Sequence, residues 1–148
     1  MIRKLLVVFA ILMLGLTAAA AQSCQDVITK RQTMMKHSGA MAKDGSAMIK
    51  GDAPFDPAKV QQIFAAFADD AAALPTLFPD CSKTGDDTTA GPAIWDRPDD
   101  FKAAIAKFAA DVKAAQASTK DVAGLKASFQ TIGKDCNSCH QVFRVRKS

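Results

Sequence analysis

The 148-residue chain lacks an excess of charge of either sign: 19 Lys and Arg stand against 15 Asp and Glu, for a formal net charge of +4. No clustered basic stripe runs along it, which argues against a nucleic-acid partner. Strand-like alternation and internal repeats are missing too, and nothing marks a second domain, so the chain reads as one domain without a sheet. Catalytic side chains are scarce. With 2 histidines, and neither paired carboxylates nor a nucleophile–base constellation, hydrolytic chemistry has no residues to run on, and the chain reads as a non-enzyme. Long apolar runs are also absent, since Leu5 to Leu16 falls short of the roughly 20 residues a membrane span needs.

That apolar run is instead the centre of a secretory signal. Arg3 and Lys4 precede it, small residues follow from Thr17 to Ala21, and Ala19-Ala20-Ala21 fits an A-x-A cleavage site. Removal of residues 1–21 leaves residues 22–148 as the folded domain, and losing Arg3 and Lys4 lowers the formal charge from +4 to +2. The expected location is a bacterial periplasm, with no stable membrane insertion once the signal is gone.

Of the 4 cysteines, two belong to Cys136-Asn137-Ser138-Cys139-His140. This C-x-x-C-H motif is the attachment site of a c-type haem. Two thiols add across the haem vinyl groups to form thioethers, and the adjacent imidazole can bind iron through a ring nitrogen. On a helix, positions i, i+3 and i+4 share a face, so Cys136, Cys139 and His140 can address one flat ligand. A bare C-x-x-C would also suit a redox dithiol or half a zinc site. A dithiol motif normally opens a helix after a strand, however, and no strand pattern precedes this one. Zinc would need a fourth ligand, taken from Cys24 or Cys81. One covalently attached haem c is therefore the expected cofactor. In an oxidising compartment Cys24 and Cys81 are expected to form one disulfide, the alternative being two free thiols.

Four segments carry helical periodicity, which predicts an all-α, antiparallel four-helix bundle. The first runs from about Gln25 to Lys50, with rows Val27, Met34, Met41, Met48 and Ile28, Met35, Ala42, Ile49 at heptad spacing. The second opens with Asp56 as N-cap and Pro57 at the first helical position, then buries Val60, Ile63, Phe64, Phe67, Ala71 and Leu74. The third begins near Asp96 to Pro98 with the stripe Phe101, Ile105, Phe108, Val112, Ala115. The fourth starts near Lys120-Asp121 and reads Val122, Leu125, Phe129, Ile132, Cys136, Cys139, Phe143, which makes the motif cysteines a continuation of the core stripe. Gly133 interrupts this helix at about 1 kcal/mol relative to Ala and would leave room for a neighbouring element or the haem ring. Pro75 to Trp95 is a long crossover between the second and third helices, pinned by Ile94, Trp95 and Phe78.

A C-x-x-C-H near the end of a four-helix pattern, followed by Phe143-Arg144, resembles the class II c-type cytochromes, the cytochrome c′ family. Arg31-Gln32 and Pro92-Ala93-Ile94-Trp95 agree more weakly. The resemblance implies haem c with His140 as proximal iron ligand and Arg31 near a propionate. It also implies two forms of distal site. Some members leave the iron five-coordinate and bind nitric oxide or carbon monoxide; others supply a methionine from the first helix and carry electrons. The corresponding position here is Met35, one turn after Arg31. Its alternative role is core packing by a flexible thioether. His37, two positions on, should face elsewhere. The favoured expectation is a Met35-ligated carrier of single electrons between periplasmic redox proteins, with the five-coordinate gas-binding form as the alternative; members of the family also pair as homodimers through the first two helices.

Overall fold

A computed structural model describes the backbone of residues 2–85 and 87–146 and the side chains from Cys24 onward. The side chains of the expected secretory signal, residues 1–21, lie outside the described residues. Four long helices form the antiparallel bundle: α1 (Ile2–Lys50), α2 (Pro57–Ala73), α4 (Pro98–Ser118) and α5 (Val122–Phe143). A single helical turn, α3 (Ala93–Asp96), sits in the crossover between α2 and α4. Among the described residues no strand forms, and no helix is long and apolar enough to cross a membrane.

Local chemistry explains the helix ends. Gly51 takes φ +82°, and the chain closes α1 with Gly51 N–H on Met48 O at 3.3 Å and Asp52 N–H on Ala47 O at 2.9 Å. That is the Schellman arrangement, which satisfies carbonyls the helix would otherwise orphan. Asp56 caps α2 by accepting from the Ala58 and Lys59 amides at 2.8 and 3.1 Å, with Pro57 behind it. Asp121 caps α5 through the Gly124 amide at 2.8 Å. At α4 no side chain caps the start; Pro98 fixes the first residue, and Asp99 and Asp100 in the first turn complement the helix dipole.

The core divides into two clusters. Met48, Val60, Ile63, Phe64, Phe67, Val112, Ala115, Leu125 and Ile132 fill the bundle where α1 meets α2 and α4 meets α5. Gly45 brings α1 close to α5 here, since a Cβ on it would lie 2.1 Å from the Phe129 ring. The second cluster, Ile94, Phe101, Ile105 and Phe143, lies under the crossover. Phe78, Phe101 and Phe143 meet there edge-to-face, with centroids 4.9 and 5.1 Å apart. Trp95 Nε1 donates to Phe78 O at 3.1 Å, so both aromatics pin the crossover. Its outgoing limb is stitched to the chain after α5 by Gly91 N–H on Phe143 O at 2.8 Å and Val145 N–H on Thr89 O at 2.9 Å.

Candidate cofactor site

α5 delivers the motif. Its buried stripe runs Leu125, Ile132, Asp135, Phe143, with Cys139 packed against the second cluster. Cys136 is exposed, and this corrects the expected stripe: the turn after Ile132 turns Asp135, not Cys136, into the core. The steps 132, 135, 139, 143 keep to one face at 3.6 residues per turn, while Cys136 and His140 stand on its flank. Cys136, Cys139 and His140 therefore occupy adjoining positions beside the core. Both thiols are free. Desolvation by neighbouring atoms pushes both upward even though Cys136 keeps an exposed surface, and the charge of Asp135 adds to the effect at Cys136. Burial, then the positive charge of Arg144, pushes the His140 imidazole down, which favours the neutral form that ligates metals.

Arg31 is 6 % exposed and belongs to the crossover. Nη1 donates to Leu77 O at 3.1 Å and to Ser82 Oγ at 2.8 Å; Nη2 donates to Ser82 O at 3.0 Å and to Thr88 Oγ1 at 2.6 Å. The guanidinium also lies 4.9 Å from the Phe78 ring centroid. Four bonds engage the terminal N–H groups, where the family resemblance put a propionate; Nε–H is the donor outside this set. One turn on, Met35 is half-buried. It belongs to neither core cluster, whereas Met48 is core and Met41 packs against it. His37 is exposed, as its helical position implied.

Cys24 and Cys81 form the expected disulfide, 57 residues apart in sequence. It ties α1 to the crossover, next to Ser82. With both cysteines bonded, neither is left to complete a zinc site, and among the described residues no group of three His, Cys, Asp or Glu is assembled to hold a metal ion. The donor set on α5 fits haem c instead: two free thiols and an imidazole on one side of a helix. At Gly133, one turn earlier, an added Cβ would meet nothing within 4 Å, so no neighbouring protein element uses that space.

An all-helical antiparallel bundle with a haem c attachment motif late in its last helix defines a class, the helical-bundle c-type cytochromes. The chain belongs to the cytochrome c′ family, whose sequence profile, Cytochrome C', matches residues 26–144. It is 44% identical over 145 residues to a cytochrome c′ of Rhodopseudomonas palustris, covering 98% of each chain. It is 38% identical over 148 residues to a cytochrome c-556 of Agrobacterium fabrum, covering 99% of this chain and 100% of that one. Among solved structures, a cytochrome c′ from R. palustris superposes with TM-score 0.79 at 48% identity, over 83% of this chain and 98% of that one. The R. palustris cytochrome c556 gives 0.76 at 37%, over 84% and 99%. Covalently attached haem c is the cofactor of this family and of this chain.

Proposed function

We propose that the protein is a periplasmic carrier of single electrons, with thioethers at Cys136 and Cys139, His140 as proximal ligand and Met35 as distal ligand to the iron. Haem c supplies a one-electron Fe(III)/Fe(II) couple. The chain's part is to hold it: α5 anchors the ring, the neutral His140 binds from the same helix, and Arg31 fixes the crossover over the aromatic cluster at that end. The observation that supports the reading is Met35's place on α1, one turn beyond Arg31 and half-buried outside both core clusters, a burial it shares with Met34 but on the Arg31 side of the helix. The relatives named cytochrome c-556 support the same side.

Cleavage after residue 21 would deliver residues 22–148 to the periplasm, where redox proteins would be the partners and two copies would pair through α1 and α2. Sedimentation of the mature protein tests the pairing. Ferric and ferrous absorption spectra test the function. Low-spin iron in both states with negligible carbon monoxide binding is expected, and Met35→Ala should convert it to a high-spin, gas-accessible form. A second reading, five-coordinate gas binding, draws on a neighbour at 25% identity and TM-score 0.74, the nitric oxide complex of a mutant of cytochrome c prime from Alcaligenes xylosoxidans. A high-spin wild type that takes up carbon monoxide readily would establish that reading in place of the first.

A further inference from the structure

Asp135 immediately precedes the first haem cysteine and is 6 % exposed. Its neighbours on the stripe, Ile132 and Phe143, are buried and apolar. The carboxylate is instead held by a single cation. Lys107 Nζ, from α4, donates to Asp135 Oδ1 at 2.5 Å and to Asp111 Oδ2 at 2.6 Å. Asp135 Oδ2 is buried without a hydrogen-bond partner. One ammonium thus serves two carboxylates, and its own side chain is 63% exposed, so water screens it more than it screens Asp135. With both carboxylates ionised the excess charge of the cluster is negative, and its buried member is the one beside the motif. The field reaches the motif, because the charge of Asp135 adds to burial in pushing the Cys136 thiol upward.

We propose that Asp135, positioned by Lys107, sets the reduction potential: its buried negative charge beside Cys136 favours the ferric over the ferrous state and lowers the midpoint. The proposal rests on haem attachment at Cys136 and Cys139 and is independent of whether Met35 ligates. A buried charge acts strongly on a neighbouring redox centre because little water screens it, and burial and local charge are levers by which a protein tunes haem iron.

The test is a spectroelectrochemical titration of the holoprotein and three variants in alkaline buffer, with ferric and ferrous spectra to show that coordination is retained. Asp135→Asn should raise the midpoint, Lys107→Gln should lower it, and Asp135→Glu should restore a value near wild type. Opposite signs are the signature of charge; a looser α4–α5 contact would move both variants the same way. An unchanged midpoint in Asp135→Asn, or shifts of one sign in both, overturns the proposal and leaves Asp135 a packing residue. Should acidified solvent extract the haem from wild type, the attachment reading itself fails and takes the proposal with it, an outcome distinct from an unmoved potential. If Asp135→Asn fails to mature, the Lys107 and Glu variants decide by the same signs.

Discussion

Where α1 turns into α2 and α4 into α5, the bundle is filled by side chains such as Ile63, Phe64 and Leu125 that are fully buried and apolar. At the opposite end a crossover carries the architecture: a disulfide, a buried arginine, an edge-to-face aromatic series and backbone bonds from Gly91 and Val145. The first end is held by burial, which is non-directional and tolerates repacking. The second is held by directional links, and those of Arg31 join residues 46 to 57 positions apart. The haem motif lies against the directional end. Iron ligation demands fixed geometry, and a loop can supply it only when its backbone is tied down at several points.

The largest effect should come from the burial end. Phe64→Ala removes a ring with 0 % exposure and should cost roughly 3–5 kcal/mol in denaturant unfolding, the range for truncating a buried aromatic. The ferric spectrum should be unchanged below the transition. Breaking the other end should show the reverse pattern. Replacing both Cys24 and Cys81 by Ser should cost about 4 kcal/mol or less by the chain-entropy estimate, and should also speed hydrogen exchange at the Gly91 and Val145 amides while those in the middle of α2 stay protected. Equal exchange across both ends would erase the distinction.

The smallest effect concerns Asp70, a buried carboxylate on α2 that accepts from Ser38 Oγ of α1. Burial raises its pKa above the ordinary value of 3.8, against the opposing pull of Ser38 and His37. The folded state therefore holds this proton more tightly than the unfolded chain does. Stability falls as pH rises from the unfolded value through the raised folded one, and the cost persists above it. Asp70→Asn should abolish that fall in a pH series of thermal midpoints while keeping an acceptor for Ser38.

Much of this was legible in the sequence because its causes are local. Asp56 caps the helix it was assigned to, Asp121 caps the helix expected to start near it, Pro57 and Pro98 open theirs, and C-x-x-C-H declares its ligand within five residues. Asp135 was missed because a stripe counted by apolarity passes over a buried charge and settles on the nearest cysteine. The approach of Gly45 to Phe129 joins residues with no common pattern, so neither position signals it. For Arg31 the family resemblance implied a place near a propionate, whereas its observed partners lie on a crossover whose path depends on the whole bundle. Met35 follows Arg31 by one turn in any helix, but its position outside both core clusters depends on how the four helices pack.

The arginine clamp has a consequence for how the crossover can drift over generations. Two of its four bonds end on the backbone carbonyls of Leu77 and Ser82, and Trp95 likewise meets the carbonyl of Phe78. Every residue type offers that oxygen. Selection at those contacts therefore acts on the path of the chain more than on its spelling, and substitutions that keep the path are open to the loop. The hydroxyls of Ser82 and Thr88 are the exceptions, because there the contact reads the side chain itself.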